Sequence, residues 1–201
     1  MHRTGKPAVG ALPLVTGLLL GVLVMSGCSY LSGTVDNSPS SSGPLRYQGE
    51  GVRQTSGYVG PEDAEFLFGG TWLENTSDQE VELSGATLVG DVDPADAEVV
   101  GVRVFRMDEA TDEVGAFGIG ELTDEQAQRS WQMAHPFQGA TVAPGEVVVA
   151  YFRVKVHRPV EAEWPAAEVS YSVGDRGYIV EADHALNVCT SSKAECAEDD
   201  W

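Results

Sequence analysis

Glu146-Val147-Val148-Val149-Ala150-Tyr151-Phe152-Arg153-Val154-Lys155-Val156-His157-Arg158 reads as one long β-strand, opened by the turn Pro144-Gly145. Side chains on a strand alternate between two faces. Val148, Ala150, Phe152, Val154 and Val156 share one face, which must be core. The other face runs Val147, Val149, Tyr151, Arg153, Lys155 and His157. Its second half is a cationic stripe on a chain of formal charge −19.

The same period of two recurs outward from this strand. Strands are expected at Ala64 to Glu74, Gln79 to Val89, Glu98 to Met107, Val114 to Ile119 and Ser130 to Phe137. In the third of these, Val100, Val102 and Val104 fall on one face. Ala167 to Val173 and Tyr178 to Val188 form a hairpin across Gly174-Asp175-Arg176-Gly177. Leu45 to Arg53 adds an edge strand. One helical turn is expected, where Thr123-Asp124-Glu125-Gln126 has the shape of a capping box running to about Arg129. Many short strands, turn signals between them and almost no helix predict an all-β fold, an antiparallel two-sheet sandwich with a closed barrel as the alternative.

At Asn75 through Leu88 and Pro144 through Val156 the chain resembles bacterial immunoglobulin-like sandwich modules. These carry an Asn-Thr-Ser-type turn before a Val/Leu strand, and a Pro-Gly-Glu turn before a long Val-rich strand. The resemblance implies an immunoglobulin-like sandwich. The Cys…Trp…Cys core of antibody domains is absent.

The N-terminus supplies the address. Arg3 and Lys6 precede an uncharged, mostly apolar stretch from Ala8 to Met25, which ends in Val24-Met25-Ser26-Gly27-Cys28. This ending resembles a bacterial lipobox. The resemblance implies a diacylglycerol thioether on Cys28, cleavage after Gly27 and a lipid anchor on the extracytoplasmic face of a cell membrane. The alternative is an uncleaved membrane anchor. A helix from Ala8 to Met25 would be roughly 27 Å long, short for a hydrocarbon core of roughly 30 Å, and Pro13 and three glycines weaken it. Ser29 to Pro44, rich in Ser, Gly and Pro, reads as a tether with an end-to-end distance of roughly 20–25 Å. The organisation is thus residues 1–27 as signal peptide, 28–44 as lipidated cysteine and tether, and 45–201 as one β-sandwich domain.

The first 27 residues hold two basic and no acidic residues, so the remaining 174 carry 10 basic and 31 acidic residues, a charge of −21. That excludes nucleic acid as a partner, because binding it requires a cationic surface. Besides Cys28 there are two cysteines, Cys189 and Cys196, able to close a short disulfide loop. Their spacing is not Cys-x-x-Cys, and they lack neighbouring zinc ligands.

Several clusters could carry chemistry. Arg153, Lys155 and His157 form either a docking stripe for an acidic partner or a solvated, charge-balanced strand face. Asp91, Asp93 and Asp96 around Pro94 resemble the start of a calcium loop, without the glycine and closing glutamate of an EF-hand; a solvated turn is the plainer reading. Asp108, Glu109, Asp112 and Glu113 make a second acidic turn. His184, in phase with Val180, Ala182, Leu186 and Val188, is expected to face inward as a hydrogen-bonded histidine, with adjacent Asp183 on the other face. Met133-Ala134-His135 offers soft ligands for copper, but no further ones. The tail Glu198-Asp199-Asp200-Trp201 is read as a frayed terminus.

No Gly-x-Ser-x-Gly or phosphate-binding loop is present. The sequence therefore predicts a membrane-anchored envelope lipoprotein, without cofactor or catalysis, whose sandwich binds or braces another envelope protein. The second reading is a lipoprotein that binds a small ligand or divalent metal as accessory to a transporter, with weak calcium binding at the acidic loops. A hydrolase with a site assembled from distant loops is the third.

Overall fold

The computed structural model describes residues 42–49, 54–58, 64–110, 118–158 and 160–189. Cys28, Cys196, the tail and most of the tether lie outside them. Among the described residues no helix is long and apolar enough to cross a membrane.

The chain is an all-β sandwich, antiparallel but for one strand pair, as the alternation predicts. Its strands are β1 (Leu45–Tyr47), β2 (Gln54–Tyr58), β3 (Glu65–Asn75), β4 (Val81–Val89), β5 (Ala97–Arg106), β6 (Ile119–Glu121), β7 (His135–Pro136), β8 (Thr141–Val142), β9 (Val147–Val156), β10 (Glu161–Trp164), β11 (Ala166–Val173), β12 (Arg176–Ala182) and β13 (Ala185–Cys189). One α-helix, α1 (Glu125–Met133), and a 3₁₀ turn at Met107–Glu109 join them. A first sheet has the order β1-β3-β9-β5-β7, with β6 also on β3; a second runs β12-β11-β4-β8. A third, β10-β13-β2, holds a parallel pair, β2 with β13.

The sequence places Tyr178 to Val188 in one strand. Instead β12 ends at Ala182, residues 183 and 184 leave the ladder, and β13 resumes in the third sheet. The expected hairpin does form. Val173 opposes Arg176 across the two-residue turn Gly174-Asp175, where Gly174 has φ +55°.

Phe66, Phe68, Phe152 and Val154 of the first sheet meet Leu83, Val169 and Tyr171 of the second and Leu186 and Val188 of the third in one core. Two bulges keep the alternation in phase with that core. Phe68 and Leu73 both face inward although five residues apart, because one extra residue at Gly69-Gly70 shifts the register of β3 on β9 between Phe68 and Thr71. Val100 is the extra residue of β5, between Val99 and Gly101. It is 44% exposed while Val102 and Val104 turn toward the core, so the three valines do not share a face as expected.

The largest departure is α1. The sequence predicts a strand over Ser130 to Phe137, yet Ser130 to Met133 is helical and only His135–Pro136 pairs as strand. Asp124, not Thr123, is the N-cap; its Oδ1 accepts from the amides of Gln126 (2.8 Å) and Ala127 (3.1 Å). Arg103 Nη1 donates at 2.7 Å to the carbonyl of Trp131 in the last turn, where a cation is favoured. The helix lays Ala127 and neighbouring Ala134 on Leu67, Phe105, Val149 and Tyr151, a second apolar cluster on the outer face of the first sheet. Half of the face opposite the core on β9 is therefore buried as well.

The chain is fixed where it joins the sandwich. The Pro44 carbonyl accepts from Thr76 N (3.1 Å) and Thr76 Oγ1 (2.7 Å), and Leu45 N donates to the buried Tyr171 hydroxyl at 3.2 Å. Burial raises the pKa of that hydroxyl above the ordinary tyrosine value, with the Leu45 bond partly opposing.

Candidate functional site

The cationic stripe lies on the outer face of β9, below α1, between Glu65 of β3 and Glu98 of β5. Arg153 donates from Nε to Glu65 Oε2 at 2.6 Å and pairs with the same carboxylate through Nη2. His157 Nε2 lies 2.9 Å from Glu98 Oε1. Lys155 is in register with Glu65 of β3 and Glu98 of β5. The three residues are thus brought together, but as part of a charge lattice. At its upper end Trp131 of α1 lies on Gly101, where an added Cβ would be 3.2 Å from its ring, and the Arg103 guanidinium stacks 4.6 Å from the ring centroid. Arg153 is farther, at 5.9 Å. Neither Arg103 nor Trp131 stands out in the sequence as part of this face, because the half of α1 that carries Trp131 reads there as a strand.

The acidic turn is used differently. Asp93 Oδ1 accepts from Ala95 N at 2.8 Å, closing its own turn, and Asp96 pairs with Arg158. Asp91, Asp93 and Asp96 line an open recess of about 690 Å³ together with Glu161 and Glu163 of β10. Among the described residues no group of three or more His, Cys, Asp or Glu is placed to hold a metal ion. In the second acidic turn Glu109 lies 3.1 Å from His135 Nε2, while Asp112 and Glu113 are outside the described residues. Met133 is 41% exposed.

His184 is inward and fully engaged. It is 3% exposed, in the link between β12 and β13. Nδ1 lies 3.1 Å from the Gly70 carbonyl and 2.9 Å from the Tyr47 hydroxyl; Nε2 lies 2.8 Å from Thr55 Oγ1. A carbonyl can only accept, so Nδ1 carries the proton and Nε2 accepts from Thr55. Phe68 meets the ring edge-on, centroids 5.4 Å apart. Burial depresses the imidazole pKa below its ordinary value, partly offset by the Gly70 bond. Burial and then the charge of Asp183 raise that of Tyr47. The glycine is required here: a Cβ on Gly70 would sit 2.6 Å from His184 Cε1. The sequence shows His184 facing inward but not its partners. Its one signal for them is the Gly69-Gly70 pair inside an apolar strand, a mark of close approach.

Cys189, 2% exposed, ends β13. Its expected partner Cys196 is outside the described residues.

No known protein family matches the chain, and no curated protein does. Among solved structures it is similar to the VesB protease of Vibrio cholerae, at 14% identity and TM-score 0.36, over 73% of this chain and 32% of that one. It thus spans about a third of that protease. It is also similar to a PapD-like (ASH) domain of human CEP192, at 10% identity and TM-score 0.34, over 82% of this chain and 95% of that one. At TM-scores this low neither likeness carries an argument about what the chain does.

Proposed function

We propose that the chain is a lipid-anchored protein of the bacterial envelope whose sandwich is a non-catalytic binding or structural module. The observation that carries this reading is the continuity from Cys28 to a fixed point. A Ser/Gly/Pro-rich tether leads from a lipobox-like cysteine to Pro44 and Leu45, which Thr76 and Tyr171 clamp to the body of the sandwich. Such a clamp passes a pull on the tether to both main sheets. The polar interior supports the non-catalytic part, since both ring nitrogens of its one buried described histidine serve to join strands. The partner is an envelope protein. A Cys189–Cys196 disulfide closes the C-terminal loop and contributes roughly 2–3 kcal/mol.

The test is metabolic labelling with an alkyne palmitate analogue and intact-mass measurement, on the wild type and Cys28→Ala. Label and membrane retention in the wild type, both lost in the variant, support the reading. A free thiol at Cys28, or a retained 1–27 leader, overturns it. In-cell crosslinking that captures one stoichiometric envelope protein supports the binding role.

The carboxylate-lined recess favours a second reading, a lipoprotein that binds a divalent cation or small cationic ligand beside a transporter. A rise in melting temperature with millimolar calcium separates it from the first.

A further inference from the structure

We infer that His184 is a proton-responsive pin that holds β2 on the sandwich and releases it in mild acid. The geometry sets this up. The imidazole is buried under three strands, and the groups that face it among the described residues are these. Tyr47 comes from β1, Thr55 from β2, and the Gly70 carbonyl and Phe68 ring from β3. The neighbouring titratable group on its own link, Asp183, is exposed and is felt at Tyr47. Among the described residues the ring has no carboxylate as a hydrogen-bond partner.

A proton entering at Nε2 does not break the hydrogen-bond set. Thr55 can accept where it donated, and Gly70 and Tyr47 still face Nδ1–H. What it adds is a positive charge sealed from water, which favours any movement that hydrates the ring. The three covering strands do not move with equal ease. β3 is held by β1, β9 and β6, and β1 is clamped through Leu45 and Pro44. β2 is an edge strand of five residues on one partner, β13. It is the part of the cover that opens.

The sign follows from linkage. The folded imidazole titrates below its unfolded value of about 6.5, so the closed state is favoured above that pH and loses its advantage as pH falls. Between pH 7 and 5 the closed-to-open ratio of β2 drops, by at most about 25-fold, the limit for an imidazole of ordinary pKa that takes up its proton only in the open state. Opening frees the β13 edge while leaving both main sheets intact.

Hydrogen exchange read by mass spectrometry on the intact chain tests this, with rates corrected for intrinsic pH dependence. The expected result is that protection of β2 and β13 falls between pH 7 and 5, within that limit, while β3 and β9 keep theirs. His184→Gln removes the pH dependence. A flat wild-type profile, an equal loss in β9, or pH dependence surviving in His184→Gln overturns the proposal. If the variant does not fold, the His184 ring resonance of the wild type replaces it. Protection of β2 must fall below about pH 6.5 and level off where that ring titrates, and a loss that runs on past the ring's midpoint overturns the proposal.

Discussion

Replacing Asn75 tests how much of the sandwich depends on one buried amide. Asn75 ends β3, is fully buried, and uses its whole side chain. Nδ2 donates to the carbonyls of Gln79 (2.7 Å) and Val142 (2.9 Å), and Oδ1 accepts from Ser77 N (3.0 Å) and Ser77 Oγ (2.8 Å). These bonds fix the β3–β4 turn and attach it to β8. In Asn75→Ala the Ser77 groups turn to water at little cost. The buried Val142 carbonyl loses this donor, worth roughly 1–3 kcal/mol, and the Gln79 bond adds about 1 kcal/mol. The total, about 2–4 kcal/mol, corresponds to a fall in Tm of roughly 5–15 °C for a domain of this size.

Asn75→Asp sharpens the test because it keeps the shape and both acceptor bonds. It loses both donors and points a carboxylate at two carbonyls, so at pH 7 it should destabilise more than alanine does. Protonation restores one donor, and the gap between the two variants should close toward pH 4. Thermal unfolding followed by circular dichroism at both pH values measures this. An aspartate variant as stable as wild type at pH 7, or a gap that widens in acid, would refute the reasoning.

Two further substitutions probe the other joints. Tyr171→Phe removes the acceptor for Leu45 N and should cost about 1 kcal/mol in urea unfolding, with faster exchange of the Leu45 amide and little change elsewhere. Asp124→Ala strips the N-cap of α1 and should cost about 1 kcal/mol, raising fluorescence quenching of Trp131 by acrylamide; a capping role is wrong if both stay at wild-type values.

The strands are legible where alternation is strict and fail where a bulge or a break intervenes. β9, β11 and β12 follow the pattern because their inward residues are apolar in unbroken phase. In β5 the valines at 100, 102 and 104 keep a period of two, yet the extra residue at the bulge turns Val100 outward. Nothing in three evenly spaced valines signals that slip; Gly101, on which Trp131 rests, is its only trace. α1 is only half legible, its start in the capping box and not its run past Arg129, for another reason. Its apolar face needs only Ala127, Trp131 and Ala134, since the outer face of β3, β5 and β9 supplies the rest of that cluster. A short helix on a wide apolar surface needs little hydrophobicity of its own. The clue lies in β9, where Val149 and Tyr151 oppose the core face and still need cover. The His184 node shows the same limit. Periodicity places the ring inside, but Tyr47, Thr55 and Gly70 reach it from 114 to 137 residues away in the chain.

The charge pattern bears on where a partner can bind. Arg153 beside Glu65, Arg106 beside Glu146 and Arg158 beside Asp96 each place a cation against a carboxylate on a neighbouring strand or turn, and His157 lies within hydrogen-bond distance of Glu98. On so acidic a chain these cations offset single carboxylates of the neighbouring strands and turns. An acidic partner docking on the stripe gains at Arg153 only what Glu65 gives up, and at His157 only what Glu98 gives up. Such exposed pairs are worth at most about 1 kcal/mol each, so the exchange yields little affinity. Arg103 differs, since it donates to the carbonyls of Trp131 and Ala134 and stacks on an aromatic face. Its charge is spent on the C-terminal end of α1 and on Trp131, and drawing it away would loosen the helix that covers Tyr151. Electrostatics on this face therefore serve the sheet first, and affinity for a partner has to come from shape and apolar contact.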